Sequence, residues 1–399
     1  MAAGTFDAGI YVYPWDVVGD PAAAERVAGL GVGHATVAAF YHATRALTPR
    51  HPGHRVVVAE RSAAYLPVGP AWSHLLPAAQ SWVAGRDVFG DTAAALAAAG
   101  VPTHAWVVVD HVDAFDGPHV VNAYGDVYPW ALCPANESVL EYAVGLARVT
   151  AERPDIAGIE FEAAGWYGFD HLNQHDKVAG VRMSEDEQFL FSLCFCPACG
   201  AAYREDGLDA SSLRSAVRER LDATFEGRPA APLDTDLGAA VSAMRGRVAD
   251  RLREAMVREV RAQRPEPAFA VSFHATPRPR VSLANTGVDM ATLPAGTTGV
   301  VVNCWNGSAA PVEASVETIG EVLGEVSGEV SGEVLPGRGH GVQVYAGLLG
   351  IRGMGGDPEG LARVIADVRA AGAVGVRIYH AGLAGADDLT AIGKALADA

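Results

Sequence analysis

Two glutamates, Glu160 and Glu162, stand two residues apart in the apolar run IAGIEFE. Alternate residues of a strand share a face, so this spacing puts both carboxylates on the same side of a β-strand. A carboxylate in a strand buried on both faces is costly unless it has partners or a chemical task. Glycoside cleavage uses two carboxyl groups, about 5–5.5 Å apart for retention and about 6.5–9.5 Å apart for inversion. Neighbouring carboxylates drive their pKa values apart, which leaves one protonated as the acid and the other ionised as base or nucleophile. Asp110, closing the run HAWVVVD, is a third candidate, and Asp16, Asp113 and Asp170 are carboxylates of nearby loops. The second constellation is CFCPACG, where Cys194, Cys196 and Cys199 have the spacing C-x-C-x2-C. Three thiolates so spaced can converge on one tetrahedral ion when a fourth ligand arrives, and zinc is the usual closed structural case. The remaining cysteines are Cys304, inside the run GVVVNCW, and Cys133, in a loop that can fold back beside the cluster and is the better placed. A thioredoxin-like reading of Cys196-Pro197-Ala198-Cys199 stays open as an alternative, although it leaves a third cysteine unexplained.

The elements that must position these residues alternate along the whole chain. Eight short apolar runs, at 8–14, 34–42, 104–110, 156–162, 268–274, 299–305, 341–347 and 374–380, read as strands. Helical patterns follow most of them, at 20–30, 91–100, 137–152, 211–225, 236–263, 358–371 and 386–398. Strict strand–helix alternation signals a parallel α/β fold, and eight units predict a (β/α)8 TIM barrel. No glycine-rich phosphate loop follows the first strand, which weighs against a Rossmann fold. The chain reads as a single domain over residues 1–399, with long loops after strands two, three and four and an insertion at 163–235 that carries the cysteine cluster. The repeat GEVLGEVSGEVSGEV at 320–334 reads as a surface loop or outer helix without chemistry.

Parity along each strand separates an inward set from a helix-covered set. The mixed, partly polar set is Tyr11, Tyr13, Trp106, Asp110, Glu160, Glu162, Ser272, His274, Asn303, Trp305, Gln343, Tyr345, Arg377 and Tyr379. In one layout Glu160 lies a layer down and pairs with Arg377 across the barrel, while Glu162 sits at the C-terminal mouth, where catalytic groups of this fold concentrate. Tyr13, Trp15, His42, Trp166, His274, Asn303, Trp305, Tyr345, Arg377, Tyr379 and His380 are the candidate substrate-binding residues. Aromatic rings around carboxylates suit a small carbohydrate or glycoside, whose C–H faces stack on rings.

Cys-Pro-x-Asn at Cys133–Asn136, a helix with Glu-Tyr, a strand ending in glutamate and then C-x-C-x2-C resemble the β-galactosidases of glycoside hydrolase family forty-two. The resemblance covers about residues 130–205. It implies a zinc ion on Cys133, Cys194, Cys196 and Cys199, and Glu162 as general acid/base. Two departures matter. Phe161 precedes Glu162 where the family has asparagine, and the strand-seven run GVQVYAG lacks the carboxylate that serves the family as nucleophile.

The balance of 30 basic against 47 acidic residues, a net charge of −17, argues against nucleic-acid or anionic-membrane partners. No apolar run approaches the roughly 18 residues of a membrane span, and the start MAAGTFDAGIYVYPWD lacks the pattern of a signal peptide, so a cytoplasmic location is expected. Homo-oligomerisation is left open. Strand one carries YVYP in place of paired metal-binding histidines, and no nucleophile elbow or phosphate loop appears. The segment His171–His175 reads as a loop. Two functions remain: a glycoside hydrolase using Glu162 with Asp110 or Glu160, or a catalytically silent barrel that binds a sugar or a protein.

Overall fold

The computed structural model describes residues 6–69, 75–83, 86–169, 177, 180–229, 234–275, 293–304, 319–320, 329–330, 333–334 and 342–399. Trp305, Asp170 and the segment 171–175 lie outside the described residues. Eight parallel strands form the barrel: β1 (Asp7–Val12), β2 (His34–Tyr41), β3 (Thr103–Val108), β4 (Gly158–Glu162), β5 (Ala270–Ala275), β6 (Gly299–Asn303), β7 (Gln343–Leu349) and β8 (Gly375–Tyr379). Each pairs with the next, and β8 and β2 both pair with β1, which closes the sheet as a (β/α)8 TIM barrel. The register puts Glu160 level with Trp106 on one side and Ser272 on the other.

The strands form where β-branched and aromatic residues alternate with inward polar ones. Val107, Ile159, Phe161, Val271, Phe273 and Ile378 are buried on the helix-covered face, and the rings of Phe161 and Phe273 lie 5.4 Å apart. The helices are α1 (Pro14–Val17), α2 (Ala23–Ala28), α3 (Val88–Ala98), α4 (Glu137–Ala151), α5 (Glu185–Phe191), α6 (Pro197–Glu205), α7 (Ala210–Phe225), α8 (Thr235–Gln263), α9 (Leu361–Ala370) and α10 (Ala386–Ala397). Side-chain caps set the starts of α3, α5, α7 and α8: Asp87, Asp209 and Asp234 accept from the backbone of Gly90, Ser212 and Leu237, and Ser184 and Glu187 form a capping box. Helix α8 buries Val241, Met244, Val248, Leu252, Met256 and Val260, a stripe at helical spacing. None of the described helices is long and apolar enough to cross a membrane.

Among the described residues, chain length beyond the bare barrel follows the second, third and fourth strands. An antiparallel hairpin, Thr44–Leu47 with Val56–Ala59, follows β2, and a second, His119–Val121 with Val127–Leu132, follows β3. Helices α5 to α7 follow β4. The first strand is shorter than its apolar run, because Pro14 starts α1 directly after Tyr13.

Inside the barrel, one cation balances two carboxylates. The Arg377 guanidinium lies 2.9 Å from Asp7 and 3.6 Å from Glu160, and it stacks 3.9 Å over the ring of Tyr345. Burial works against charge on Asp7, but the His34 hydrogen bond and the Arg377 charge hold its pKa below the usual carboxylate range. A carboxylate depressed in this way adds stability above its unfolded pKa of about 4 and loses it as pH falls through the lower folded value. Arg377→Met is expected to destabilise the fold by about 3–5 kcal/mol near neutral pH, since it strands buried negative charge. That deficit shrinks as acid neutralises Asp7 and Glu160. Urea unfolding of both proteins across the acid range measures it, and a pH-independent difference would contradict this account.

Candidate active site

At the C-terminal end of β4, Glu160 and Glu162 point into the barrel from successive inward positions. Their surroundings differ. Glu160 is 1% exposed, accepts hydrogen bonds from the Tyr11 hydroxyl and from His274 Nε2, the latter at 2.7 Å, and faces Arg377. Burial alone would raise its pKa, but the hydrogen bond and charge of His274, then Arg377 and Tyr11, hold it below the usual value. Glu162 keeps about 20% of its side chain exposed, and its Oε2 accepts from Trp106 Nε1 at 2.7 Å. Its pKa is raised, by burial first and by the Glu160 charge; His274 and the Trp106 hydrogen bond oppose the shift. One strand therefore presents a carboxyl group of lowered pKa below and one of raised pKa above.

His274, on β5, ties the pair together. Its Nε2 meets Glu160, and its Nδ1 stands 3.8 Å from Glu162. Burial works to lower its pKa, but the Glu162 charge and the Glu160 hydrogen bond overcome this and raise it. Around these groups the Tyr13 hydroxyl donates to Tyr41 at 3.0 Å and lies 2.8 Å from the Tyr379 hydroxyl, while the Tyr41 ring packs 4.6 Å from Trp106. After Glu162 the chain turns sharply, with Ala163 at φ 52°.

The other expected site residues divide between mouth and framework. Trp15 is enclosed between Tyr13 and Tyr65, at 4.5 and 5.3 Å, and is wholly buried. Trp166 is likewise buried, donating from Nε1 to the Arg245 carbonyl at 2.8 Å beneath the Arg245 guanidinium. His380 is fully buried, stacks on Tyr13 at 4.2 Å, and is kept neutral by burial. Asp16 sits 3.8 Å from His380 and accepts from the Tyr13 backbone; burial pushes its pKa up to about 7 against that hydrogen bond. Tyr345 lies under Arg377, Asn303 is exposed at the end of β6, and His42 stacks on Tyr41. Asp110 falls beyond β3, is wholly buried, and accepts from Gly165 N at 3.1 Å. Burial raises its pKa well above the usual range, against the Gly165 hydrogen bond through which it holds the turn after Glu162.

Two residues central to this arrangement stand outside the predicted catalytic and binding sets. Trp106 is the direct partner of Glu162, and Tyr41 links the ring cluster to the rim. Their signal in the sequence is parity and position: Trp106 is an inward residue of β3, and Tyr41 ends β2 next to His42.

Near the mouth, Cys133, Cys194, Cys196 and Cys199 are buried as free thiols with Sγ atoms within 4.8 Å of one another. The Cys133 Sγ is 3.4 Å from that of Cys199 and 3.6 Å from that of Cys196. A tetrahedron with metal–sulfur bonds of about 2.3 Å has edges of about 3.8 Å, so the donor set fits a metal ion. Backbone N–H groups of Val121 and Cys199 approach Cys194 Sγ and Cys196 Sγ at 3.4 and 3.5 Å, as thiolate acceptors would require. The cluster joins the segment after β3 to the start of α6.

No family model and no curated protein matches the sequence. Solved structures do resemble the fold. The glycoside hydrolase domain of PgaB (BpsB) from Bordetella bronchiseptica superposes with a TM-score of 0.63 at 16% identity, covering 98% of this chain and 99% of that one. The catalytic domain of a β-amylase from Paenibacillus polymyxa gives 0.56 at 11% identity over 99% of this chain and 98% of its own. A β-galactosidase from the psychrophilic Marinomonas ef1 gives 0.55 at 11% identity, and there 98% of this chain spans 59% of that one. At such identities the likeness is one of fold: these neighbours are glycoside hydrolase (β/α)8 barrels.

The contrast between the two glutamates can be read through the histidine that bridges them. His274 is expected to titrate above the ordinary histidine range, and Glu160→Gln to lower its pKa by removing a charged partner. Histidine ring NMR of wild type and variant tests this, and an unchanged His274 titration would refute the bridge.

Proposed function

We propose that this protein is a glycoside hydrolase, or a closely related carbohydrate-processing enzyme, in which Glu162 is the general acid. The observation that carries the reading is the pairing on β4 of a partly exposed glutamate whose pKa is raised by burial with an enclosed one whose pKa is held down by His274 and Arg377. An acid that protonates a leaving oxygen must hold its proton near working pH and reach the substrate, and the raised pKa and partial exposure of Glu162 favour it for that part. Glu160 is sealed by Tyr11, His274 and Arg377, so its part is electrostatic: it raises Glu162 and holds His274 in place. Asp110 is assigned to positioning, through Gly165. Tyr13, Tyr41, Trp106 and Tyr379 then form the wall against which a small carbohydrate lies. The fold neighbours, themselves glycoside hydrolases, support this choice of chemistry.

Activity requires protonated Glu162, so kcat/KM is expected to fall as pH rises through its elevated pKa. Glu162→Gln is expected to lower kcat about 10²- to 10⁴-fold on the aryl glycosides that the wild type cleaves. Unchanged turnover in the variant would sink the assignment. A second reading rests on β7, whose Gln343–Leu349 contains no carboxylate. On that reading the barrel binds a sugar without cleaving it, and wild-type binding with no turnover on any member of the panel is its signature.

The four-cysteine cluster is read as a structural zinc site. It is closed by four thiolates, leaving no position for substrate, and when bound the ion supplies a cross-link between the segments after β3 and β4. Residues 163–235 are accordingly taken as an insertion of one domain spanning the chain, and thiolate ligation favours the reducing cytoplasm. One equivalent of zinc is expected to survive dialysis in the wild type and to be lost in Cys194→Ser, with a Tm lower by several degrees. Metal analysis beside thermal unfolding checks this, and equal zinc content in both proteins would overturn it.

A further inference from the structure

A second cluster of metal-ligating side chains stands at the rim, away from the cysteines. His42, His111 and Asp113 each bring one ligand atom to within 4.8 Å of the others. We propose that these three residues bind a divalent transition-metal ion of the zinc class.

Three observations support the assignment. The first concerns the proton on His42, whose Nδ1 lies 2.8 Å from the Ala43 carbonyl. A carbonyl only accepts, so Nδ1 carries the hydrogen and Nε2 holds the lone pair that a metal takes. The second is that the same peptide orients a second ligand, because the Ala43 N–H donates to Asp113 Oδ2 at 3.1 Å. The third is that the segments are pinned. Asp113 N donates to Ser62 Oγ at 2.7 Å, Ser62 N donates to the Asp113 carbonyl at 3.0 Å, and His111 bridges to Ala131. His111 stacks 4.3 Å from His42 and 4.5 Å from Tyr167, and because an imidazole binds a metal in its ring plane, the partly exposed His42 ring must turn out of this stack for both to reach one ion.

Two imidazoles and one carboxylate are a donor set for zinc-like ions rather than for calcium or magnesium. Around an ion with bonds of about 2.1 Å the ligand atoms stand about 3.4 Å apart. His111 Nε2 and Asp113 Oδ2 are 3.8 Å apart, and Asp113 has about a third of its side chain exposed, which leaves it room to close. Unlike the cysteine cluster, this set leaves a position of a tetrahedral ion for water or a hydroxyl group. The site adjoins the mouth, since His42 stacks 4.1 Å from Tyr41, which packs on Trp106. His42, expected from the sequence to touch substrate, is here a metal ligand. The assignment does not depend on Glu162 being an acid.

The test uses the full-length protein with its cysteine site loaded, titrated with Zn²⁺ by calorimetry and with Co²⁺ by absorption. Cobalt on thiolates shows sulfur-to-metal charge transfer, whereas cobalt on two histidines and a carboxylate shows only d–d bands. Wild type is expected to take one further equivalent of either ion. His42→Gln and Asp113→Asn, both at partly exposed positions, are expected to weaken that equivalent by at least about 10- to 100-fold, while the cysteine-bound metal and the far-UV circular dichroism stay unchanged. Cys194→Ser is expected to lose the charge-transfer band and keep the d–d bands. No further equivalent in the wild type, or one that both rim variants retain, would overturn the proposal.

Discussion

Arg377 holds its guanidinium inside the barrel within reach of Asp7 and Glu160, and the arrangement of the mouth follows from that balance. A lone carboxylate at the depth of Glu160 would take up a proton. With Arg377 and His274 beside it, Glu160 stays ionised, and its charge then acts upward. It helps to raise Glu162, holds the His274 ring by Nε2, and so turns Nδ1 toward the outer glutamate. The difference between two chemically identical side chains on one strand is thus set by their partners: His274 first and Arg377 next hold Glu160 down, while burial raises Glu162.

Around this axis the site is built from hydroxyl and indole groups. Tyr11, Tyr13, Tyr41 and Tyr379 are buried, and burial keeps their hydroxyls protonated, so that they act as neutral donors and acceptors. Trp106 donates to the Glu162 carboxyl group. The extra loops gather over the same side: a hairpin after β2, a hairpin after β3 and three helices after β4. The cysteine cluster draws the latter two groups together, while the rim formed by His42 and Asp113 belongs to the first two.

Much of this was legible in the sequence because a parallel barrel imposes a strict grammar. Its strands are apolar runs, so inward polar residues stand out, and parity alone put Glu160, Glu162, His274 and Arg377 on one face. Parity fails where strands end. Asp110 lies beyond Val108, the last residue of β3, and turns away to Gly165. Aromatic residues were less readable, since an enclosed tryptophan such as Trp15 or Trp166 and a working one such as Trp106 have the same composition. Asp7 gave no signal either, because a carboxylate at the first residue of a strand looks like a solvated end until Arg377 is brought across the barrel.

Ala163 follows Glu162 with a left-handed backbone, a conformation that costs an alanine roughly 1 kcal/mol and a glycine almost nothing. Glycine would take this turn more readily, yet it would also let the chain leave it more readily. The buried methyl group narrows the alternatives open to the peptide after Glu162. In entropic terms, the strand end that carries Glu162 is searched and ordered once, during folding, and need not be ordered again each time a ligand arrives.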